Sequence, residues 1–352
     1  MAANSDGESG PLPAPRWPLT RERWGQRNSA APRISPFAMR ARWSISLLMP
    51  SPVPPKSAPP RLFDRERVAR NRSRAAASFK EYDFLKARVS SDIADRLADT
   101  SHSFDRAFDL GAHDGQLAKL LQASDQVGSV EAGDISSGMV ALSRADGLNA
   151  EQVDEEGLPF PQASLDLIVS ALSLHWVNDL PGALVQIRQA LKPDGLFLGA
   201  LFGAGTLSEL RASLMEAETE LTGGVAARVS PLPGLRDMAS LMQRAGFALP
   251  VVDRDQVVVR YGSPMGLLAD LKGMGERAAF AAGTMRPLPR RVLMRAMEIY
   301  ANDHSDPDGR VRASFEVVHM SGWSPADSQP KPLKPGSARV SLADAVRSHK
   351  SS

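Results

Sequence analysis

From Arg106 onward, short apolar runs alternate with stretches of helical period. Arg106-Ala-Phe-Asp-Leu-Gly111 reads as a strand closed by glycine, and Gln116 to Gln122 as the helix that follows. Ser129-Val-Glu-Ala-Gly-Asp134 predicts a second strand, and Ser137 to Arg144 its helix. Leu165-Asp-Leu-Ile-Val-Ser-Ala171 is a strongly apolar strand. Leu180 to Leu191 is a helix stopped by Pro193 and Gly195, and Gly195 to Phe202 a further apolar strand. Strands separated by helices of about ten residues predict a parallel sheet covered on both faces. Beyond it, Leu207 to Leu221, Leu235 to Ala245, Pro264 to Met274 and Pro289 to Tyr300 read as helices. Asp255 to Tyr261 and Ala313 to Met320 read as late strands. Ahead of the alternation, Leu62 to Leu97 reads as helical, with Phe79, Tyr82, Leu85 and Val89 at helical spacing.

Both ends break this pattern. Residues 1–60 are rich in proline and arginine, without a steady period, and are expected to be a disordered extension. Its arginines weakly suggest a transit peptide, but an overlong gene start, with Met39 or Met49 as initiator, accounts better for the proline density. The domain is expected over residues 61–323, and residues 324–352 as a mobile tail. The chain has 352 residues, 43% hydrophobic and 23% charged, enough for one large core. A net charge of +2 argues for neither nucleic acid nor a charged membrane surface. With no cysteine, disulfides, thiolate metal sites and a cysteine nucleophile are excluded. The six histidines show no HxxxH or HExxH spacing, so no histidine metal site is expected. No apolar run is long enough to span a membrane.

Four segments carry candidate chemistry. Phe108-Asp-Leu-Gly-Ala-His-Asp-Gly115 is a glycine turn between a strand and a helix. There the backbone can approach a ligand and free N–H groups can meet an anion. The GxGxxG of dinucleotide folds is absent, which argues against a nicotinamide dehydrogenase. Asp134 follows Gly115 by 19 residues, at a strand end where a carboxylate accepts from ribose hydroxyls. Ser136 or Ser137 is the candidate cap of the next helix. Asp154-Glu-Glu-Gly-Leu-Pro-Phe160 is an acidic loop suited to an adenine amino group, or simply a solvated turn. Ser170-Ala-Leu-Ser-Leu-His-Trp-Val-Asn178 follows a strand and puts His175 and Trp176 at the crevice rim.

In this order, with Leu165-Asp-Leu167 and Leu191-Lys-Pro-Asp-Gly195, the segments resemble the motif series of class I S-adenosylmethionine-dependent methyltransferases. A narrower likeness is carried by Asp154-Glu-Glu-x-Leu-Pro-Phe160, Ser173-Leu-His-Trp-Val-Asn-Asp-Leu-Pro181, Ala217-Glu-Thr-Glu220, Asp270-Leu-Lys-Gly-Met-Gly275, Gly322-Trp323 and Gly336-Ser-Ala-x-Val-Ser-Leu342. These resemble the mitochondrial complex I assembly factor 5 family and its bacterial relatives, from about Phe63 to Leu342.

The resemblance implies a Rossmann-like class I methyltransferase fold: a seven-stranded, mostly parallel sheet with helices on both faces and helical insertions. It implies an S-adenosylmethionine site built from Asp109, Gly111, Ala112, Gly115, Asp134, Ile135, Asp154, Glu155 and Leu172. The glycine turn would hold the methionine part, Asp134 the ribose, and the Asp154 and Glu155 loop the adenine. It implies an arginine hydroxylase acting on an iron–sulfur-bearing subunit of complex I. Methyl transfer to a malonyl thioester and a non-catalytic assembly chaperone are the alternatives. Tyr82, His175 and Trp176 are the candidates beside the reacting centre. The expected setting is bacterial cytoplasm, or else the mitochondrial matrix, with peripheral membrane association through the partner. One departure stands out. The family's turn usually has glycine where this chain has His113, which is accommodated if its side chain points outward.

Overall fold

The computed structural model describes residues 61–283 and 286–330. The proline-rich extension of residues 1–60 and residues 331–352 of the expected tail lie outside them. β1 (Phe104–Leu110), β2 (Val127–Asp134), β4 (Leu165–Ala171) and β5 (Leu191–Phe202) are the strands read from the apolar runs. The helices between them are α3 (Gln116–Gln122), α4 (Ser137–Ala145) and α5 (Leu180–Ala190). One strand has no apolar signature: β3 (Asn149–Gln152), with sequence Asn-Ala-Glu-Gln. It is short, lies at the sheet edge and pairs only with β2, so it needs no buried pattern.

The sheet has seven strands in the order β3-β2-β1-β4-β5-β7-β6. The first five run parallel. β7 (Val311–Trp323) is antiparallel to both β5 and β6 (Ala248–Tyr261). β6 starts seven residues before the alternation that predicted it. Pro250 and the positive φ of Leu249 interrupt its pairing between Ala248 and Val251, and an edge strand tolerates that break. β5 also begins earlier than expected, at Leu191, with Asp194 at φ +60° making the kink before Gly195. Strand order reverses between β1 and β4, which opens a crevice at their carboxyl ends.

The segment read as one helix from Leu62 to Leu97 is three pieces. α1 (Arg65–Ala75) is capped by Asp64, whose side chain accepts from the Arg67 N–H. A 3-10 turn (Ala76–Glu81) redirects the chain into α2 (Phe84–Ala98). The reason lies in what each piece covers. α2 buries Leu85, Val89, Ile93 and Leu97 and packs on β4 and β5, whereas α1 packs on α4 at the crevice. α6 (Ser208–Thr222), α7 (Leu235–Arg244), α8 (Pro264–Gly273) and α9 (Arg290–Asp303) are the remaining α-helices among the described residues. α6, α8 and α9 pack together beyond β5 and wall a cavity there. Ser324 to Gln329, the head of the expected tail, bonds to the Asp194–Gly195 turn. Among the described residues, no helix is long and apolar enough to cross a membrane.

Candidate functional site

The turn after β1 is built around Gly111, at φ +71°. The Gly111 and Ala112 N–H groups both donate to the Gly133 carbonyl, at 2.8 and 2.9 Å, and so clamp the turn to β2. A Cβ on Gly111 would stand 2.0 Å from Ser173 Oγ, so both backbone angle and space demand glycine. Gly115, at φ +80°, starts α3. Asp109 is buried under the turn, and its Oδ2 accepts from the Ala118 N–H at 3.1 Å. Burial pushes its carboxyl up to about 6, against the pull of Lys86.

Asp134 ends β2 and is buried. Its Oδ1 accepts from the Ser136 N–H at 2.8 Å and its Oδ2 from the His113 N–H at 3.1 Å. Ser136 is the cap of α4, accepting from the Met139 N–H. His113 sits at φ +54°, the angle that explains glycine in the family pattern. Its side chain does not point outward. It is buried, stacked on Phe79 with ring centroids 5.5 Å apart, with Nδ1 2.9 Å from the Gly111 carbonyl oxygen. Leu172, at φ +49°, is a second left-handed residue beside the crevice; its N–H donates to the Ala200 carbonyl. Ile135 packs with Phe63 and Trp176 instead of opening onto free space.

Three basic side chains fill the middle of this arrangement. Arg72 of α1 is fully buried, with Nη1 3.0 Å from Asp134 Oδ2 and 3.4 Å from Glu155 Oε1, and Nη2 3.0 Å from Ser173 Oγ. Burial alone would lower its pKa, but the attraction of Asp134 and Glu155 outweighs that and holds it protonated. Arg65, two helical turns earlier on the same face, bonds Asp154 Oδ1 at 2.7 Å, Glu155, and the Trp176 carbonyl at 3.1 Å. Lys86 of α2 is buried, donating to the carbonyls of Ala171 at 2.7 Å and Gly111 at 3.0 Å. Glu155 is held in its charged form: burial pushes its pKa up, but Arg65 and Arg72 pull it down further. The loop expected to face adenine is therefore engaged by α1, and Glu155 is no solvated turn residue.

These groups fit a nucleoside that carries an amino acid. A buried carboxylate stands at the strand tip and a glycine turn beside it. Arg72 Nε and Asp109 Oδ1 are buried without a hydrogen-bond partner among the described residues. A ligand ammonium group would supply the complementary charge for Asp109 Oδ1, whereas Arg72 Nε belongs to a side chain that a nucleoside would have to displace. One condition follows: the Arg72 guanidinium must swing away, because it occupies the space between Asp134 and Glu155.

His175 and Trp176 lie on a 3-10 turn (Leu174–Trp176) after β4. His175 Nε2 and Trp176 Nε1 both approach one oxygen of Glu276, Oε2, at 3.0 and 2.7 Å. All three line a cavity of about 420 Å³ with Phe202, Leu207, Leu210 and Leu271. Tyr82 does not line it. Tyr82 packs against Gly273 and borders a smaller cavity that reaches Glu276 and His113. The sequence reading missed Arg65, Arg72, Lys86, Ser173 and Glu276. The only signal for the first two was their spacing of seven on one helix.

The sheet order and this site define an enzyme of the class I methyltransferase type. A methyltransferase-domain family model matches residues 68–250. "Arginine-hydroxylase NDUFAF5, mitochondrial" of Rattus norvegicus is 41% identical over 305 residues, covering 84% of this chain and 88% of its own. The Homo sapiens protein of that name is 38% identical over 340 residues, covering 94% and 95%. "Malonyl-[acyl-carrier protein] O-methyltransferase" of Methylovorus sp. (strain MP688) is 30% identical, covering 81% and 94%. The chain belongs to the methyltransferase-domain family, on the branch that holds the NDUFAF5 arginine-hydroxylases.

Proposed function

We propose that the protein binds S-adenosylmethionine and hydroxylates an arginine on the iron–sulfur-bearing subunit of respiratory complex I during assembly. The observation that carries this is the closeness of the likeness over its whole reach. The domain model stops at residue 250, but the match to the Homo sapiens NDUFAF5 protein spans 94% of the chain and so takes in α8, α9 and β7, where the cavity walls lie. The malonyl relative also spans most of the chain, 81%, so the higher identity of the NDUFAF5 proteins, 41% in Rattus norvegicus against 30%, is what favours this reading.

In this reading Asp134 accepts from the ribose hydroxyls, and the turn from Gly111 to Gly115 holds the amino-acid end. Asp154 and Glu155 border the base once Arg72 has withdrawn. Bound there, the cofactor would supply a sulfonium centre; inserting oxygen into the arginine also takes an oxygen donor and, if that is O2, two electrons from a reductant, neither of which a sulfonium provides. His175 and Trp176 stand on the substrate side and fix Glu276 by two hydrogen bonds. Tyr82 closes the crevice from the 3-10 turn after α1. The setting is the bacterial cytoplasm or the mitochondrial matrix, with peripheral membrane association through the partner subunit.

A second reading is methyl transfer to a malonyl thioester. The 30% identical malonyl relative favours it, as do the exposed Arg277 and Arg286 beside an apolar cavity. The test is co-expression with the iron–sulfur subunit, followed by peptide mass mapping. A gain of one oxygen on an arginine is expected. Unmodified arginines throughout, with S-adenosylhomocysteine formed on a malonyl carrier protein, would give the second reading the field.

A further inference from the structure

The geometry points to Glu276 as the residue that selects a guanidinium on the substrate. This rests on the proposed arginine chemistry and adds the group that recognises it. Glu276 follows α8, and its side chain is only 9% exposed. Its two oxygens are used unequally. Oε2 accepts from both His175 and Trp176. Oε1 has no hydrogen-bond partner among the described residues, and Glu276 lines both the large cavity and the small one beside it. That oxygen is not among the fully buried unpartnered atoms, so it keeps access to the cavity, where a donor can meet it.

The carboxylate is ionised. Burial pushes its pKa up, but His175, Arg72 and the Trp176 N–H pull it below the usual range. The free oxygen therefore presents negative charge to the cavity. The walls around it are apolar: Leu207, Leu210, Leu214, Leu268 and Leu271. Such walls suit methylene groups, and the far end suits a cation with N–H donors. Arginine has that shape, three methylenes ending in a planar guanidinium.

The arginines of the lining do not contradict this. Arg228 is already neutralised by Glu218, with Nε 3.0 Å from Oε1. Arg277 and Arg286 are exposed, where solvent screens them. Glu276 is the one carboxylate among the described residues that line the cavity, and its free oxygen faces the sheltered part. An anionic substrate end would meet repulsion there.

The test uses the full chain and two small probes, N-acetyl-arginine methylamide and its citrulline counterpart. Citrulline keeps the shape and loses the charge. Binding is read by titration calorimetry or by NMR shifts. The wild type should prefer arginine by about tenfold or more, the value of one charge-assisted hydrogen bond. Glu276→Gln should bring the two affinities together, with folding checked by its thermal melt. Equal affinities in the wild type would overturn the inference without any variant, as would a preference that survives Glu276→Gln. Mass mapping of the co-expressed subunit separates the two claims. Oxygen on an arginine without guanidinium preference sinks the role of Glu276 alone. Guanidinium preference without added oxygen sinks the hydroxylase reading and keeps the site.

Discussion

Arg72 Nη1 stands 3.0 Å from Asp134 Oδ2, and both side chains are shut off from solvent. An ion pair in that setting gains little over an apolar pair of the same volume, but breaking it from one side is expensive. Removing Arg72 leaves two buried carboxylates, Asp134 and Glu155, facing one another without the cation between them. Arg72→Ala should therefore destabilise the fold by about 3–5 kcal/mol, measured by urea denaturation. Arg72→Lys, which keeps the charge but loses the fork, should lose less. A loss below about 1 kcal/mol for Arg72→Ala would show that Arg65 suffices for Glu155 and that Asp134, whose pKa burial raises, takes up a proton instead.

The same pair sets the terms for ligand binding. A ribose reaching Asp134 competes with Arg72 for Oδ2. Asp134→Asn keeps the volume and removes the charge that both partners use. Affinity for S-adenosylhomocysteine should fall by about tenfold or more, since a hydrogen bond to a charged group contributes about 1.5–3 kcal/mol. Titration calorimetry of the variant beside wild type measures it. Unchanged affinity would place the nucleoside elsewhere.

Gly111 makes a different demand. Its left-handed backbone angle costs any other L-residue about 1–2 kcal/mol, and a Cβ there also meets Ser173 Oγ at 2.0 Å. Gly111→Ala should destabilise by more than the backbone cost alone. Part of the excess should return in a Ser173→Gly background, because that removes both atoms of the overlap. A double-mutant cycle by chemical denaturation should give a favourable coupling of about 1 kcal/mol. Additive losses would mean that the turn relaxes away from Ser173.

The sheet was legible because its central strands are buried on both faces and their residues show it. Leu165 to Ala171 could be little else, and its bounds agree with the apolar run. β3 was illegible because an edge strand of four residues with polar neighbours needs no pattern. The long N-terminal helix broke into pieces because period alone cannot report that α1 and α2 cover different surfaces. The site divides the same way. Gly111 and Asp134 announce themselves by chain geometry, at fixed places after strands. Arg72, Lys86 and Glu276 come from elements distant in sequence: two helices before the sheet and a loop more than 100 residues beyond Asp134. Their convergence is a tertiary fact, and on an arginine-rich helix one buried arginine looks like its exposed neighbours.

Asp109 yields the pH dependence. Burial holds its folded-state pKa at about 6, against 3.8 for the ordinary group. The folded protein thus keeps a proton that the unfolded chain releases between those values. The stability it contributes is full below about pH 4 and is lost as pH rises through 6. The difference between the two pKa values is equivalent to about 3 kcal/mol across that window. Asp109→Asn has no proton to lose, and its amide oxygen can still accept from the Ala118 N–H. The stability of the variant relative to wild type should therefore climb by up to about 3 kcal/mol from pH 4 to pH 7. Urea denaturation at several pH values across that range measures the slope directly. A flat difference would show that Lys86, 25 residues before Gly111 and donating to its carbonyl, holds Asp109 ionised throughout.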